Sequence, residues 1–460
     1  MAYARRFLVD QRELSKQERG VLQKLIAAAE LVAPLYEKQK NQEYPGANFY
    51  PFNATKQEIE KAAKKNPDIL SPYTFVERKG KKLVAVPYSK KFNKELTQIA
   101  KILKEAAALS TDKKLKAYLA ARARDLLQDN FDKSNTLWLE TGQSKIGCVI
   151  GPFDRYHDKL FFQKRLYTSY VGILDKKRTE EIDKFRQAIL VGEKRHLPGA
   201  KQAKIPRMKV RVGHTAILSG FAADFLFVSD NLPSSADLYL IKKKGTISTI
   251  FYPLLQWRFS TWIWPIYNVI FSSDLQRRFS QEDIEDAFLR ISAFSEITRS
   301  VMRYDDAASR LQELFPYFDE IYADVLTIKA ASLLYLKGTL TEKELQAILV
   351  AEICQGFYYL GCLDKWPHLQ TNAVGYALLL DFLLRGNALE KQEGRFTFNF
   401  QKAFIAVDEL SNVLEYYLSI GSRKDAEEFL GKFKAKEVLE KFAPQLNEIL
   451  LHQQKQTNSV

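Results

Sequence analysis

AFSEITRSVMR, residues 293–303, lies in a run whose apolar residues, Ile284, Phe288, Ile291, Phe294, Ile297 and Val301, recur at spacings of three and four. That period predicts an amphipathic helix over 280–303 with one buried stripe. Ser280-Gln-Glu-Asp283 gives it a capping box. Ser295 and Arg299, four residues apart, share a face beside the stripe, and Glu296 follows Ser295 directly. Alone, a glutamate in such a place is in most cases a solvated residue. The rest of the chain decides how this face is read.

The chain has 460 residues, enough for two or three domains with real cores. Hydrophobic residues make up 46% and charged residues 27%; with 30 Phe, 22 Tyr and only 20 Gly, long disordered segments are not expected. The net charge of +14 would suit nucleic acid or an anionic surface. The lysines, however, are spread in short runs. The one dense stretch, KRHLPGAKQAKIPRMKVRVGH (194–214), reads as a solvated loop running into an alternating strand. No recognition-helix, RNA-binding or zinc-finger signature occurs, so nucleic acid is not the expected partner.

Three cysteines, Cys148, Cys354 and Cys362, do not make a disulfide scaffold and fit a reducing compartment. The first residues, MAYARRFLVDQRELSKQE, lack the apolar core of a secretory signal. The most apolar stretch, Ile247–Phe271, is interrupted by Arg258, Pro253 and Pro265, short of the roughly 20 apolar residues that a membrane span needs. A cytoplasmic protein without a membrane partner is expected.

Helical spacing runs through 14–40 and again from Lys91 to about Leu127. PYTFVERKGKKLVAVPY (72–88) reads as a hairpin about Lys79-Gly80-Lys81. Between 135 and 258, TLWLE and CVIGPF look extended, KVRVGHT and ADLYLIK alternate, and LDKKRTEEIDKFRQAIL is helical. Beyond about 275 the pattern is helical, with a capping box at Thr341-Glu-Lys-Glu344, a C-cap at Gly338 and a first-turn proline at Pro316. The expected class is α+β, mostly α: a mixed α/β part over 1–275 and an all-α part over 276–460, a soft boundary across which the lobes can interleave.

Ser295 and Arg299 stand at the spacing by which H-E-x-x-H offers two imidazoles to one zinc, with Glu296 where the water-activating glutamate would be. Around this helix come YPGANFYPFNATKQEIE (44–60), IGPFDRYHDKLFFQKRLYTSYVGILD (150–175), FVSDNLPSSADL (227–238), PYFDEIYADVLTIKAA (316–331) and GRFTFNFQKAFIAVDEL (394–410). In this order the segments resemble the dipeptidyl-peptidase III family of zinc metallopeptidases, over roughly 44–435. The resemblance implies two lobes with a cleft and a peptide held there along a sheet edge.

Position by position, the resemblance implies a divided site. The family's zinc histidines fall on Ser295 and Arg299, so neither ligand is kept. Its catalytic glutamate falls on Glu296, and its third ligand on Glu320 of DEIYAD. A tyrosine used near the scissile bond matches Tyr156 of GPFDRYHD. The family's peptide-holding N-[IL]-P-N reads Asn231-Leu232-Pro233-Ser234, keeping the first amide only, and Asn372 stands where an assisting histidine would be.

A catalytic zinc needs three protein ligands, and Arg299 brings a cation that does not deprotonate. Arg299 is therefore expected to pair with Glu296 or Glu320 in place of a metal's charge. Among other candidates, Cys354, Cys362 and His368 match no zinc spacing, and the five histidines include no H-x₃-H pair. The expected function is that of an inactive peptidase homologue binding a peptide or protein ligand in the interlobe cleft, with no cofactor. Two alternatives remain: a metal-dependent peptidase using Glu296 as general base with zinc held through Glu320 and other residues, and a basic protein that binds nucleic acid or an anionic surface.

Overall fold

The structure, a computed structural model, describes residues 3–155, 157–196, 208–233, 244–301, 304, 306–361 and 370–457. The chain divides into two compact units: Met1–Thr179 with Pro206–Leu254, and Glu180–Ile205 with Leu255–Val460.

The first unit is built on a six-stranded sheet. It contains β1 (Ala4–Arg6), and the separate hairpin β2 (Thr74–Lys79) and β3 (Lys82–Pro87) pairs outside it. The other strands are β4 (Ile146–Asp154), β5 (Leu166–Leu174), β6 (Met208–Gly220), β7 (Ser229–Leu232) and β8 (Thr246–Phe251). Their order is β4-β5-β6-β8-β7, with β1 also on β6. All neighbours are antiparallel except β6 and β8. β8 is buried along its whole length, as a central strand covered on both sides should be.

Helices cover this sheet. The Lys16–Glu30 helix opens with a capping box from Ser15 and Glu18 and buries Val21, Leu22, Leu25, Ala28 and Ala29. The single helix expected over 14–40 is two, the second being Ala33–Gln39. Likewise the run from Lys91 to Leu127 breaks at Asp112, whose carboxylate caps the Lys113–Asp125 helix through the Lys114 and Leu115 amides. TLWLE is not extended: Asp132–Trp138 is a helix, followed by one 3-10 turn. Its β-forming residues are overruled by packing, since Trp138 is buried and its Nε1 donates to the Cys148 carbonyl at 3.0 Å. ADLYLIK lies outside the described residues.

The second unit is helical except for the hairpin β9 (Leu389–Gln392) and β10 (Arg395–Phe398). This hairpin departs from the all-α expectation, because a four-residue strand is too short for its period to register. The Phe315–Leu336 helix is the centre. It packs against the Gln281–Val301, Glu342–Leu360, Gln370–Arg385 and Phe400–Ser419 helices and is buried on nearly every side. A helix enclosed in this way is apolar all round, which makes each charge on it conspicuous. Pro316 sits in its first turn, and Gly338, at φ +68°, follows its end. The Thr341–Glu344 capping box opens Glu342–Leu360, and Ser280 and Asp283 exchange hydrogen bonds in the same way. No helix among the described residues is long and apolar enough to cross a membrane.

Candidate functional site

Ser295, Glu296 and Arg299 project from the last two turns of the Gln281–Val301 helix. Ile284, Phe288, Ile291, Phe294 and Ile297 are buried, so the apolar stripe fixes the helix rotation. Thr298 Oγ1 donates to the Ala323 carbonyl at 3.1 Å, tying this turn to the Phe315–Leu336 helix. The facing residues are therefore Asp319, Glu320 and Asp324.

Arg299 makes two ion pairs. Its Nη1 lies 3.1 Å from Asp319 Oδ2 and its Nη2 lies 2.9 Å from Glu320 Oε2. Ser295 Oγ donates to Asp324 Oδ1 at 3.2 Å. Asn372, on the Gln370–Arg385 helix, reaches the same Glu320 oxygen with its Nδ2 at 3.4 Å. Four of the positions singled out by sequence, Ser295, Arg299, Glu320 and Asn372, thus meet at one place, and Glu296 shares the helix turn.

The electrostatics follow from one cation among several acids. Burial pulls Arg299 toward losing its proton; Glu320, Asp319, Asp324 and Glu296 outweigh burial and hold it more firmly charged than a free arginine. Burial raises the Asp319 carboxyl to about 6, with Arg299 opposing and Glu320 adding to the rise. Asp324 is also raised, first by burial and despite Arg299 and the hydrogen bond from Ser295.

Behind Asp324 is a second, fully enclosed layer. Tyr376 Oη donates to Glu352 Oε1 at 2.6 Å and accepts from Gln355 Nε2 at 2.7 Å. Burial, and then the charge of Asp324, drives the Glu352 carboxyl well above its ordinary range, so it holds its proton. Tyr376 fits here because position 356 is glycine: a Cβ there would sit 2.8 Å from the tyrosine Cδ1. Asp319, Asp324, Tyr376 and Glu352 were not singled out from the sequence. Glu352 had a visible signal, being the one acid in the apolar run QAILVAEICQGF.

A zinc ion would need three donors from this set. The positions hold a hydroxyl engaged with Asp324, a guanidinium, and a carboxylate paired with that guanidinium. This donor set does not fit zinc: the guanidinium has no lone pair to give and repels a dication. Among the described residues no three His, Cys, Asp or Glu side chains are grouped so as to hold a metal ion.

The remaining candidates lie elsewhere. Asn231 is on β7 in the first unit, and its side-chain Oδ1 is buried with no hydrogen-bond partner among the described residues. Pro233 follows it, and Ser234 lies outside the described residues, as do Tyr156, Cys362 and His368. Cys354 is buried. His157 Nε2 lies 2.9 Å from Tyr36 Oη, which donates to Asp224 at 2.6 Å. His214 Nε2 lies 3.1 Å from Asp175. Of the basic stretch, 197–207 lies outside the described residues and Met208 begins β6.

Among solved structures, dipeptidyl-peptidase III of Caldithrix abyssi superposes with a TM-score of 0.84 at 21% identity, covering 94% of this chain and 93% of that one. Dipeptidyl-peptidase III of Corallococcus sp. strain EGB superposes with a TM-score of 0.76 at 23% identity, covering 95% and 92%. The chain has the dipeptidyl-peptidase III fold, and at these identities the likeness speaks for the fold alone. Nudix hydrolase 3 of Arabidopsis thaliana is 23% identical over 427 residues, which is 85% of this chain. The chain spans 54% of that protein's length. No family model matches.

Proposed function

We propose that this protein is a peptidase-fold protein without zinc catalysis, and that it binds an extended peptide or protein segment. The observation that carries the first half is the pair of ion bridges from Arg299 to Asp319 and Glu320. They occupy the carboxylate a zinc ion would need and put a permanent cation at the second histidine position. Glu296 then has no metal-bound water to activate, and its role as a general base lapses.

Peptide binding is supported by β7. Among the described residues β8 is its one strand partner, and an added strand takes its affinity from backbone hydrogen bonds. The Asn231 oxygen is a buried acceptor that a peptide N–H would satisfy.

Two experiments test the two halves. Protein equilibrated with zinc and desalted should contain near-zero zinc by elemental analysis and leave short peptides intact. Close to one zinc per chain, or peptide cleavage lost in Glu296→Gln, would overturn the reading. Short fluorescein-labelled peptides should bind in an anisotropy titration, and Asn231→Ala should weaken them roughly tenfold, as loss of one well-placed hydrogen bond does. Unchanged binding in that variant would remove Asn231 from the site.

A further inference from the structure

The six-stranded sheet of the first unit holds a hollow with a buried cation, Arg211, at its wall. Gly147 on β4 is opposite Gly172 on β5. Gly172 is opposite Thr215 on β6, and Gly213 and Arg211 precede Thr215 by two and four residues. Arg211 in turn is opposite Thr249 on β8. Strand alternation puts all of these on one face. Where neighbouring strands carry glycine there is no side chain to fill the surface, and a cavity of about 20 Å³ remains there. That is room for one water-sized particle or little more.

Arg211 is 3% exposed. Its guanidinium is locked on three sides. Nε donates to Thr249 Oγ1 at 2.9 Å, the Trp138 ring centre lies 5.5 Å away, and the plane lies against Gly147. A Cβ on Gly147 would stand 3.3 Å from Cζ, Nη1 and Nη2 alike. Arg211 is also one of the residues that line the hollow. Nη1 and Nη2 have no hydrogen-bond partner among the described residues, and neither has the buried hydroxyl of Ser144 on the same wall. No described carboxylate forms an ion pair with Arg211. Asp230 shares the face, but Thr249 stands between it and Arg211 in the strand register. A second guanidinium, Arg122, is 1% exposed with Nε and Nη1 unpartnered among the described residues. Both arginines act on the Cys148 thiol, so the positive charge is shared over this region.

A buried guanidinium cannot shed its proton, and a buried charge without a counter-charge is strongly unfavourable. Thr249, Trp138 and Gly147 orient Arg211 without neutralising it. Two parallel N–H donors and a hydroxyl around a small hollow are the donor set for an anion. We propose that this hollow binds one small monovalent anion, a halide or a planar oxyanion of formate size, through Nη1 and Nη2 of Arg211 and the Ser144 hydroxyl. The anion supplies the counter-charge that Arg211 lacks among the described residues and locks β4, β5, β6 and β8 together.

The test is thermal unfolding of the full chain at constant ionic strength, with sodium gluconate replaced stepwise by chloride, nitrate or formate at millimolar concentrations. A bound anion raises Tm saturably, as any ligand of the folded state does. Saturation by chloride alone assigns a halide, and by nitrate and formate a planar oxyanion. Arg211→Gln should abolish the dependence. Ser144→Ala, a change that removes one hydroxyl without disturbing the guanidinium, should raise the half-saturating concentration roughly tenfold. A flat Tm in all three salts, or a dependence unchanged in Ser144→Ala and Arg211→Gln, would overturn the proposal. So would density of a water beside Arg211 in crystals soaked in bromide and in formate alike.

Discussion

Replacing Arg299 with methionine keeps an unbranched apolar stem and removes the guanidinium with its charge. It loses two contacts, at 3.1 Å to Asp319 and 2.9 Å to Glu320. Breaking a fully buried pair costs roughly 3–5 kcal/mol. Here the partners retain between 23% and 34% of their side-chain exposure, and exposed pairs contribute at most about 1 kcal/mol. The loss should therefore be about 2 kcal/mol. In a unit of this size that corresponds to roughly 4–8 °C in Tm. The pH dependence is the sharper part. A carboxyl whose folded pKa is raised, as Asp319 is to about 6 from 3.8, costs stability as pH rises through that interval and costs nothing below it. Without Arg299 the pKa rises further, so the cost keeps growing above pH 6. Arg299→Met should thus cost less stability at pH 4.5 than at pH 8. Differential scanning calorimetry at both values measures this. An equal loss at both would show that Arg299 acts by packing and not by charge.

Other outcomes follow from particular residues. Ser295→His with Arg299→His should create a zinc site with Glu320, giving close to one zinc per chain by elemental analysis; no zinc would show that these positions do not converge as ligands. Lys164 is fully buried, donates to the Ile69 and Ser71 carbonyls and to Thr74, and burial lowers its pKa to about 7 from 10.5. Because the unfolded chain takes up the proton between those values, stability should rise from pH 7 toward 10 by up to about 1.4 kcal/mol per unit. Urea unfolding of Lys164→Met should lack that slope. His157 is lowered by burial, and then by Lys40, to about 4 from 6.5. Its contribution is present above 6.5 and lost as pH falls through 4, so His157→Gln should flatten that part of the acid limb, read by NMR of the first unit.

Much of the fold was legible because long helices carry a long signal. The stripe from Ile284 to Ile297 fixed the face on which Ser295 and Arg299 lie, and the caps at Thr341 and Gly338 marked real ends. Failures came where a local preference was outvoted from a distance. TLWLE has strand-forming residues, yet the Trp138 indole is needed at the Cys148 carbonyl, and a helix delivers it there. Asp319 was quoted but given no role, since nothing in one helix says which residue on another will face it. The Glu352–Tyr376 layer needed the approach of two helices, which rests on a glycine at 356 and is invisible to periodicity. The hollow beside Arg211 depends on strand register, which spacing within one strand does not specify.

On the proposed reading, Arg299 in place of a metal changes what the surroundings can control. A metal centre is filled or emptied by the supply of the ion and can be stripped by a chelator. A guanidinium is part of the chain and is always there. It brings one positive charge, however, where zinc would bring two, to a place ringed by Glu296, Asp319, Glu320 and Asp324. Burial, opposed by Arg299 and reinforced by Glu320, raises the Asp319 carboxyl to about 6, so it takes up a proton at mildly acid pH. On that reading, acidity takes the place of metal supply as the external variable to which the Arg299 cluster responds.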